Sequence, residues 1–173
     1  MSTTVTASEN VNIRIAKPDD CPEIMRLIIE LAMFEKLEDQ VKIDAEVLKR
    51  DCFGDKPSCH CVVAEPVHGD SKQLIGYALY FPTYSTWVGV CLHLEDIYIT
   101  PAYRGSGLGK KLWQTVTQIA LDMGCSRLQL SVLGWNKHAR DLYLRHGCID
   151  MTEAEDWHLM RLRREDMEAF VKT

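Results

Sequence analysis

No stretch of this sequence approaches the ~18 apolar residues that a membrane span requires. Basic charge is not in excess either. Lys and Arg number 20 against 25 Asp and Glu, giving a net charge of -5 and a pI near 5.7. A mildly acidic chain is a poor candidate for non-specific nucleic-acid binding, which needs a basic face. It suits a cationic ligand better. Residues 1–10 lack a basic segment and an apolar core, so they do not read as a signal peptide. Their Ser and Thr content predicts a short disordered lead. The seven cysteines are odd in number, and Cys61 and Cys91 sit inside apolar runs. This fits cysteine used as a small hydrophobe in a reducing compartment, and the expected location is the cytoplasm. Internal repeats, low-complexity blocks and long linkers are missing as well.

What is present is enough apolar residue for a core. Of 173 residues, 46% are hydrophobic and 26% charged, which predicts one globular domain over residues 11–173. Val11, Ile13 and Ile15 alternate with polar residues, as a strand does. Pro18-Asp19-Asp20 signals a turn and cap. Ile24, Leu27, Ile28 and Leu31 then follow at helical spacing, predicting a helix over about 20–35. A shorter helix begins at Asp44, where Ile43 and Leu48 have the spacing of a hydrophobic staple.

Strands are expected at residues 59–65, 74–81 and 90–100. Residues 66–72 connect the first two, Pro82 ends the second, and Pro101 closes the third. A helix spans about 108–123 and stops at Gly124. A strand at 127–133, a helix at 137–146 stopped by Gly147, a strand at 157–162 and a closing helix at 164–171 complete the order. The expected class is α/β, a single domain with a twisted mixed sheet flanked by helices.

The most informative segment is Arg104-Gly105-Ser106-Gly107-Leu108-Gly109, between a strand and a helix. Glycines there permit positive φ and close backbone approach. The free N–H groups at the helix start converge with the helix dipole behind them, and phosphate is their natural occupant. The dinucleotide fingerprint G-x-G-x-x-G is absent, since the glycines run G-x-G-x-G. The triphosphate loop is absent too, because Lys111 follows Gly109-Lys110 and Arg104 stands where its first glycine belongs. A ligand-free glycine turn is the plain alternative.

Arg104-x-x-Gly107-x-Gly109 resembles the R-x-x-G-x-G/A loop of the GNAT superfamily of N-acetyltransferases. Trp135-Asn136, Tyr143 and Gly147 fit the same layout. From about Ile13 to Leu162 the chain resembles the diamine acetyltransferases. The strings that carry this include Leu31-Ala32-x-Phe34-Glu35, His60 to Glu65, Tyr84-Ser85-Thr86-Trp87 and Leu94-Glu95-Asp96-Ile97-Tyr98. Phe34-Glu35-Lys36-Leu37 and Thr152-Glu153-Ala154-Glu155 resemble the thialysine N-ε-acetyltransferase branch more than the spermidine/spermine branch.

The resemblance implies direct acetyl transfer from acetyl-CoA to the amine of a small molecule, with no covalent acetyl-enzyme. It places the cosubstrate on the backbone of Ile97, Tyr98 and Ile99, on the loop formed by Arg104, Gly105, Ser106, Gly107, Leu108, Gly109 and Lys110, and at Asn136. A strand edge can pair with the pantetheine arm as an added strand would, and a backbone N–H near Ile97 can serve a developing oxyanion.

Tyr143 matches the general acid; a phenol of pKa ~10 can protonate a thiolate of pKa ~8.5. Its bland alternative is a core tyrosine. Glu95 is the second catalytic candidate. Phe34, Glu35, Trp87, Glu95, Asp96 and Glu155 are expected at the amine. Carboxylates both attract an ammonium and relay its proton, although strand alternation puts Glu95 and Asp96 on opposite faces unless a bulge intervenes. Trp87 could equally be core.

Cys59-His60-Cys61 invites a metal reading, but the cysteines face one way and His60 the other. No second Cys/His pair has zinc-site spacing, and no metal is expected. A homodimer follows from the resemblance alone. The alternatives are a spermidine/spermine acetyltransferase, a protein lysine acetyltransferase, and a catalytically silent CoA-binding regulatory domain.

Overall fold

The computed structural model of the protein describes residues 11–67 and 73–172. These form two compact units, divided after Ser131. The predicted lead at residues 1–10 and most of the 66–72 connection lie outside the described residues.

The first unit is built on a five-stranded sheet in the order β1-β2-β3-β4-β5. The strands are β1 Val11–Ile15, β2 His60–Pro66, β3 Gly76–Ser85, β4 Gly89–Ile99 and β5 Leu128–Leu130. The first four run antiparallel to their neighbours, and β5 is parallel to β4. The sheet is therefore mixed, and the α/β expectation holds.

Alternation along the strands serves two layers. Cys61, Val63, Tyr77, Leu79 and Tyr98 join one buried cluster with Ile24 and Leu27 of α1 (Cys21–Glu35) and Leu48 of α2 (Ala45–Phe53). The intervening Val62, Ala64 and Ala78 are fully buried, and α3 (Leu108–Asp122) packs on β2, β3 and β4. Burying each Leu or Val here contributes about 1.5–3 kcal/mol.

Local signals explain the element ends. Asp44 caps α2 by accepting from Val47 N–H at 2.9 Å. Lys36 closes α1 in the left-handed region, and Gly124 follows α3 at φ 70°. Polar pairs fix α1 against the strands. Arg14 holds Asp20 at 2.7 Å and Glu65 at 2.8 Å. Arg26 donates to the Leu74 carbonyl at 2.7 Å, and Glu23 accepts from Leu74 N–H at 3.1 Å.

Pro82 does not end β3. The β2–β3 ladder stops at Tyr80, so beyond it β3 pairs only with β4 through to Ser85. A proline lacking its N–H is tolerated on such a free edge. The strand expected at 127–133 shortens to β5, which meets β4 only between Leu92 and Leu94.

The second unit, from Val132, holds α4 (Lys137–Arg145), α5 (Met151–Glu155) and α6 (Arg164–Phe170). Asn136 caps α4, accepting from Ala139 N–H at 3.3 Å, and Gly147 follows it at φ 94°. Asp150 caps α5 and pairs with Arg140 at 3.0 Å. Sequence reading missed α5 and expected a strand at 157–162 that does not form. Those residues join no ladder among the described residues, and Trp157, Leu159, Met160 and Leu162 are exposed. Alternating apolar residues make a strand only when a partner edge is supplied. No described helix is long and apolar enough to cross a membrane.

Candidate active site

Strand β4 changes character along its length. Its ladder with β3 runs on to Ile99, whereas its ladder with β5 ends at Leu94 opposite Leu130. Along residues 95–99 the edge turned away from β3 therefore has no ladder partner among the described residues. Its N–H and C=O groups are the kind that an extended ligand can meet.

The change coincides with a β-bulge. Leu79 pairs with Asp96 and Tyr80 with Leu94, leaving Glu95 as the extra residue. Bulges of this kind bend a strand and interrupt pairing. The bulge also resolves the question that alternation posed. Leu94 is buried, Glu95 is exposed, and Asp96 is half-buried.

Asp96 lies where three elements meet. Tyr77 of β3, fully buried, donates its hydroxyl to Asp96 Oδ2 at 2.9 Å. Glu35, at the end of α1, is close enough for the Asp96 charge to act on it. Burial pushes the Asp96 carboxyl up, the Tyr77 hydrogen bond draws it back, and Glu95 adds a smaller push. Glu35 is raised by burial first and by Asp96 second. Neither carboxylate has an ion-pair partner among the described residues. Glu95 instead approaches His93 Nε2 at 3.2 Å. Raised, unpaired carboxylates in a partly buried position are poised to accept a cation or a proton.

The loop after β4 is shaped for an anion. Gly105 and Gly107 have φ of 75° and 81°, and a Cβ at either would meet nothing within 4 Å. Gly107 is the N-cap of α3 and supplies no capping side chain, so the first amides of that helix are left for a ligand. Ser106 Oγ donates to the Tyr103 carbonyl at 2.7 Å. Leu108 anchors the helix start in the core, and Lys110 is exposed. This cradle and the open β4 edge fit a pyrophosphate joined to an extended arm, which is the shape of coenzyme A.

Arg104 is placed differently from its neighbours. Its guanidinium lies 5.0 Å from the Phe34 ring centre and 5.2 Å from that of Tyr98. Its Nε donates to the Ile99 carbonyl at 2.9 Å. The side chain thus ties the end of α1 to the end of β4. Trp87 is not core; it lies in the turn after β3 and is 75% exposed.

Three expected residues belong to the second unit. Tyr143 is buried, and burial, with a smaller share from Cys148, pushes its phenol up to about 12. Asn136 is the α4 cap described above. Glu155 Oε2 accepts from Trp157 Nε1 at 2.9 Å on the exposed end of α5.

Sequence reading missed Tyr77. It sits in an apolar run, where a tyrosine reads as one more core side chain. The only available signal was that a buried phenol needs a hydrogen-bond partner.

The fold is a mixed α/β sheet with an anion-shaped loop at a helix start, and comparison with known proteins gives the family. Residues 24–148 match the Acetyltransferase (GNAT) family, and the chain belongs to it. It is an acetyl-CoA-dependent N-acetyltransferase. One relative is the thialysine N-epsilon-acetyltransferase of Bos taurus, 52% identical over 161 residues, covering 91% of this chain and 95% of the relative. The spermidine/spermine N(1)-acetyltransferase-like protein 1 of Homo sapiens is 39% identical, covering 94% of this chain and 24% of that larger protein. Among solved structures, an integron cassette protein of V. cholerae superposes with TM-score 0.75 at 18% identity, covering 95% of this chain and 99% of that one. That likeness shows the fold alone.

Proposed function

We propose that the enzyme acetylates the ε-amine of thialysine or a closely related amino acid. The observation that carries this reading is the pair Asp96 and Glu35, two raised carboxylates with no ion-pair partner among the described residues. A substrate ammonium supplies the missing positive charge. Asp96, oriented by Tyr77, binds it. Glu95 on the exposed bulge passes its proton to solvent, so that a neutral amine can attack. Phe34, Trp87 and Glu155 contribute further substrate contacts.

Acetyl-CoA supplies the activated acyl carbon as a thioester. On the protein side, the edge of Ile97, Tyr98 and Ile99 holds the pantetheine arm. The loop from Gly105 to Lys110 holds the pyrophosphate, Arg104 braces both, and Asn136 adds a contact. Tyr143, whose phenol is protonated at neutral pH as any tyrosine's is, delivers a proton to the departing thiolate.

The choice of thialysine rests on the 52% identical relative of that name and on amine chemistry. Sulfur two carbons from nitrogen makes thialysine's amine more acidic than that of lysine. Each pKa unit above the working pH costs about tenfold in free amine, or ~1.4 kcal/mol. Measuring kcat/KM for thialysine, lysine, spermidine and spermine at several pH values tests the proposal. A preference for spermidine of more than about tenfold moves the substrate to the polyamines and leaves acetyl transfer standing.

The same reading places the enzyme in the reducing cytoplasm, as suits its free thiols, with no metal, nucleic-acid or membrane partner. It also makes the enzyme a homodimer. The apolar surface of Trp157, Leu159, Met160 and Leu162 supports a subunit contact, and light scattering on the purified chain tests it.

A further inference from the structure

Seven cysteines are free thiols, and two of them face each other. Cys52, in the last turn of α2, and Cys59, just before β2, bring their Sγ atoms to 2.7 Å. The backbone between them is pinned. Ser58 N–H donates to the Asp51 carbonyl at 2.7 Å, and Gly54 N–H to the Arg50 carbonyl at 2.9 Å. Both sulfurs are therefore held at the mouth of one short loop, already within reach of each other.

The two thiols are unequal. Cys52 is buried, whereas Cys59 is half-buried and reachable from solvent. Water stabilises a thiolate, and so does a neighbouring S–H donor. Cys59 is therefore the first of the two to lose its proton, and Cys52 keeps its own. In agreement, the hydrogen bond from Cys52 holds Cys59 below the usual thiol range against the opposing effect of burial. The same contact, with burial, pushes Cys52 far up. Nearby Cys21 and Cys61 are sealed in the core and cannot meet a reagent first. No group of three or more His, Cys, Asp or Glu side chains placed to hold a metal ion forms among the described residues.

We propose that Cys52 and Cys59 form a modification site that reacts with low-molecular-weight disulfides and ends as an intrachain disulfide. The Cys59 thiolate attacks one sulfur of the incoming disulfide, forming a mixed disulfide and releasing one thiolate, which takes up a proton. Cys52 then loses its proton to solvent and attacks Cys59 Sγ, expelling the second thiolate. Two cysteine thiols lose two electrons between them, and one external disulfide is reduced to two thiols. Cys59 is the attacking residue and Cys52 the resolving one. The product ties the end of α2 to the start of β2.

The test uses the full chain, reduced, desalted and then treated under native conditions with excess oxidised glutathione. Its readout is mass, so it does not depend on which amine the enzyme acetylates. In the expected product the peptide holding Cys52 and Cys59 is lighter by two hydrogens and carries no glutathione, whatever the partly exposed Cys125 and Cys148 take up. After unfolding and alkylation, fragment spectra of the peptide holding Cys52, Cys59 and Cys61 should show only Cys61 alkylated. Cys52→Ser, checked for folding by circular dichroism, should stop at one stable glutathione on Cys59. Cys59→Ser should leave Cys52 unmodified on the same timescale. A glutathione adduct that persists on Cys59 of the wild-type chain, a Cys59 left unreacted, or a disulfide that engages Cys21 or Cys61 overturns the proposal.

Discussion

The two halves of β4 share a strand but not a situation. Within Gly89 to Leu94 the strand gains a partner on its second edge, where β5 joins it at Leu92 to Leu94 opposite β3. Leu92 and Leu94 there are almost fully buried. From Glu95 to Ile99 one edge lacks a ladder among the described residues, a bulge interrupts the other, and a carboxylate sits where the first half has leucine. The first half spends its backbone on the sheet and its side chains on the core. The second half leaves both partly available. Stability and chemistry are thus assigned to adjacent stretches of one element, and substitutions should separate them.

The largest effect is expected at the loop that continues the open half. Gly107→Val should leave the chain folded, because a Cβ there meets nothing within 4 Å. Its φ of 81° makes a β-branched residue costly by about 1–2 kcal/mol. CoA affinity measured by calorimetry should fall about a hundredfold or more, since side-chain bulk enters the anion cradle. Wild-type affinity in a folded variant would remove the loop from the cosubstrate site.

Asp96→Asn comes next, with two opposite signs. Turnover should fall about a hundredfold, while thermal stability at neutral pH should rise. Burial holds the folded-state pKa of Asp96 above its unfolded value. Its contribution to stability is therefore fully present below about pH 4 and is lost as pH rises through the folded value. Asn escapes that loss, so the gain in Tm should vanish on acidification. A Tm that falls equally at both pH values contradicts the assignment.

Tyr77→Phe is milder. It removes the bond that draws the Asp96 carboxyl down. The acid limb of kcat/KM should then move to higher pH, with a severalfold loss at the optimum. An unmoved limb would make Tyr77 merely a core residue. Leu94→Ala, in the closed half, should have the smallest effect on activity. Urea titration should show a loss of about 2–5 kcal/mol, with kcat/KM per folded molecule unchanged.

Much of this arrangement was legible beforehand, for reasons that can be named. Val11, Ile13 and Ile15 report a strand because alternation is local. Asp44, Gly124 and Gly147 report helix ends because capping involves only neighbouring backbone. The glycine loop was legible because positive φ restricts residue choice.

What stayed hidden depends on partners distant in sequence. Pro82 stays within β3 because β2 has already ended beside it, and residues 157–162 fail as a strand for want of an edge. Nothing in Arg104 announces that Phe34 and Tyr98 will hold its guanidinium. The sequence posed the bulge at Glu95 only as a condition, since a bulge is a mismatch between two strands and cannot be counted on one. Glu35 and Asp96 were both candidates, yet the hydroxyl that orients Asp96 was concealed in an apolar run.

The bulge makes length a variable distinct from identity. Because Tyr80 faces Leu94 and Leu79 faces Asp96, Glu95 can be deleted without turning any other β4 side chain to the wrong face. Removing any other interior residue of the strand would leave the remainder out of step. A chain lacking Glu95 should therefore fold with a straighter β4, and its ladder with β5 would be free to extend past Leu94. Exchanging Glu95 for Gln removes a charge and keeps the kink, whereas deleting it removes both. The difference in CoA affinity between these two variants measures how much of the open edge is owed to one extra residue of backbone.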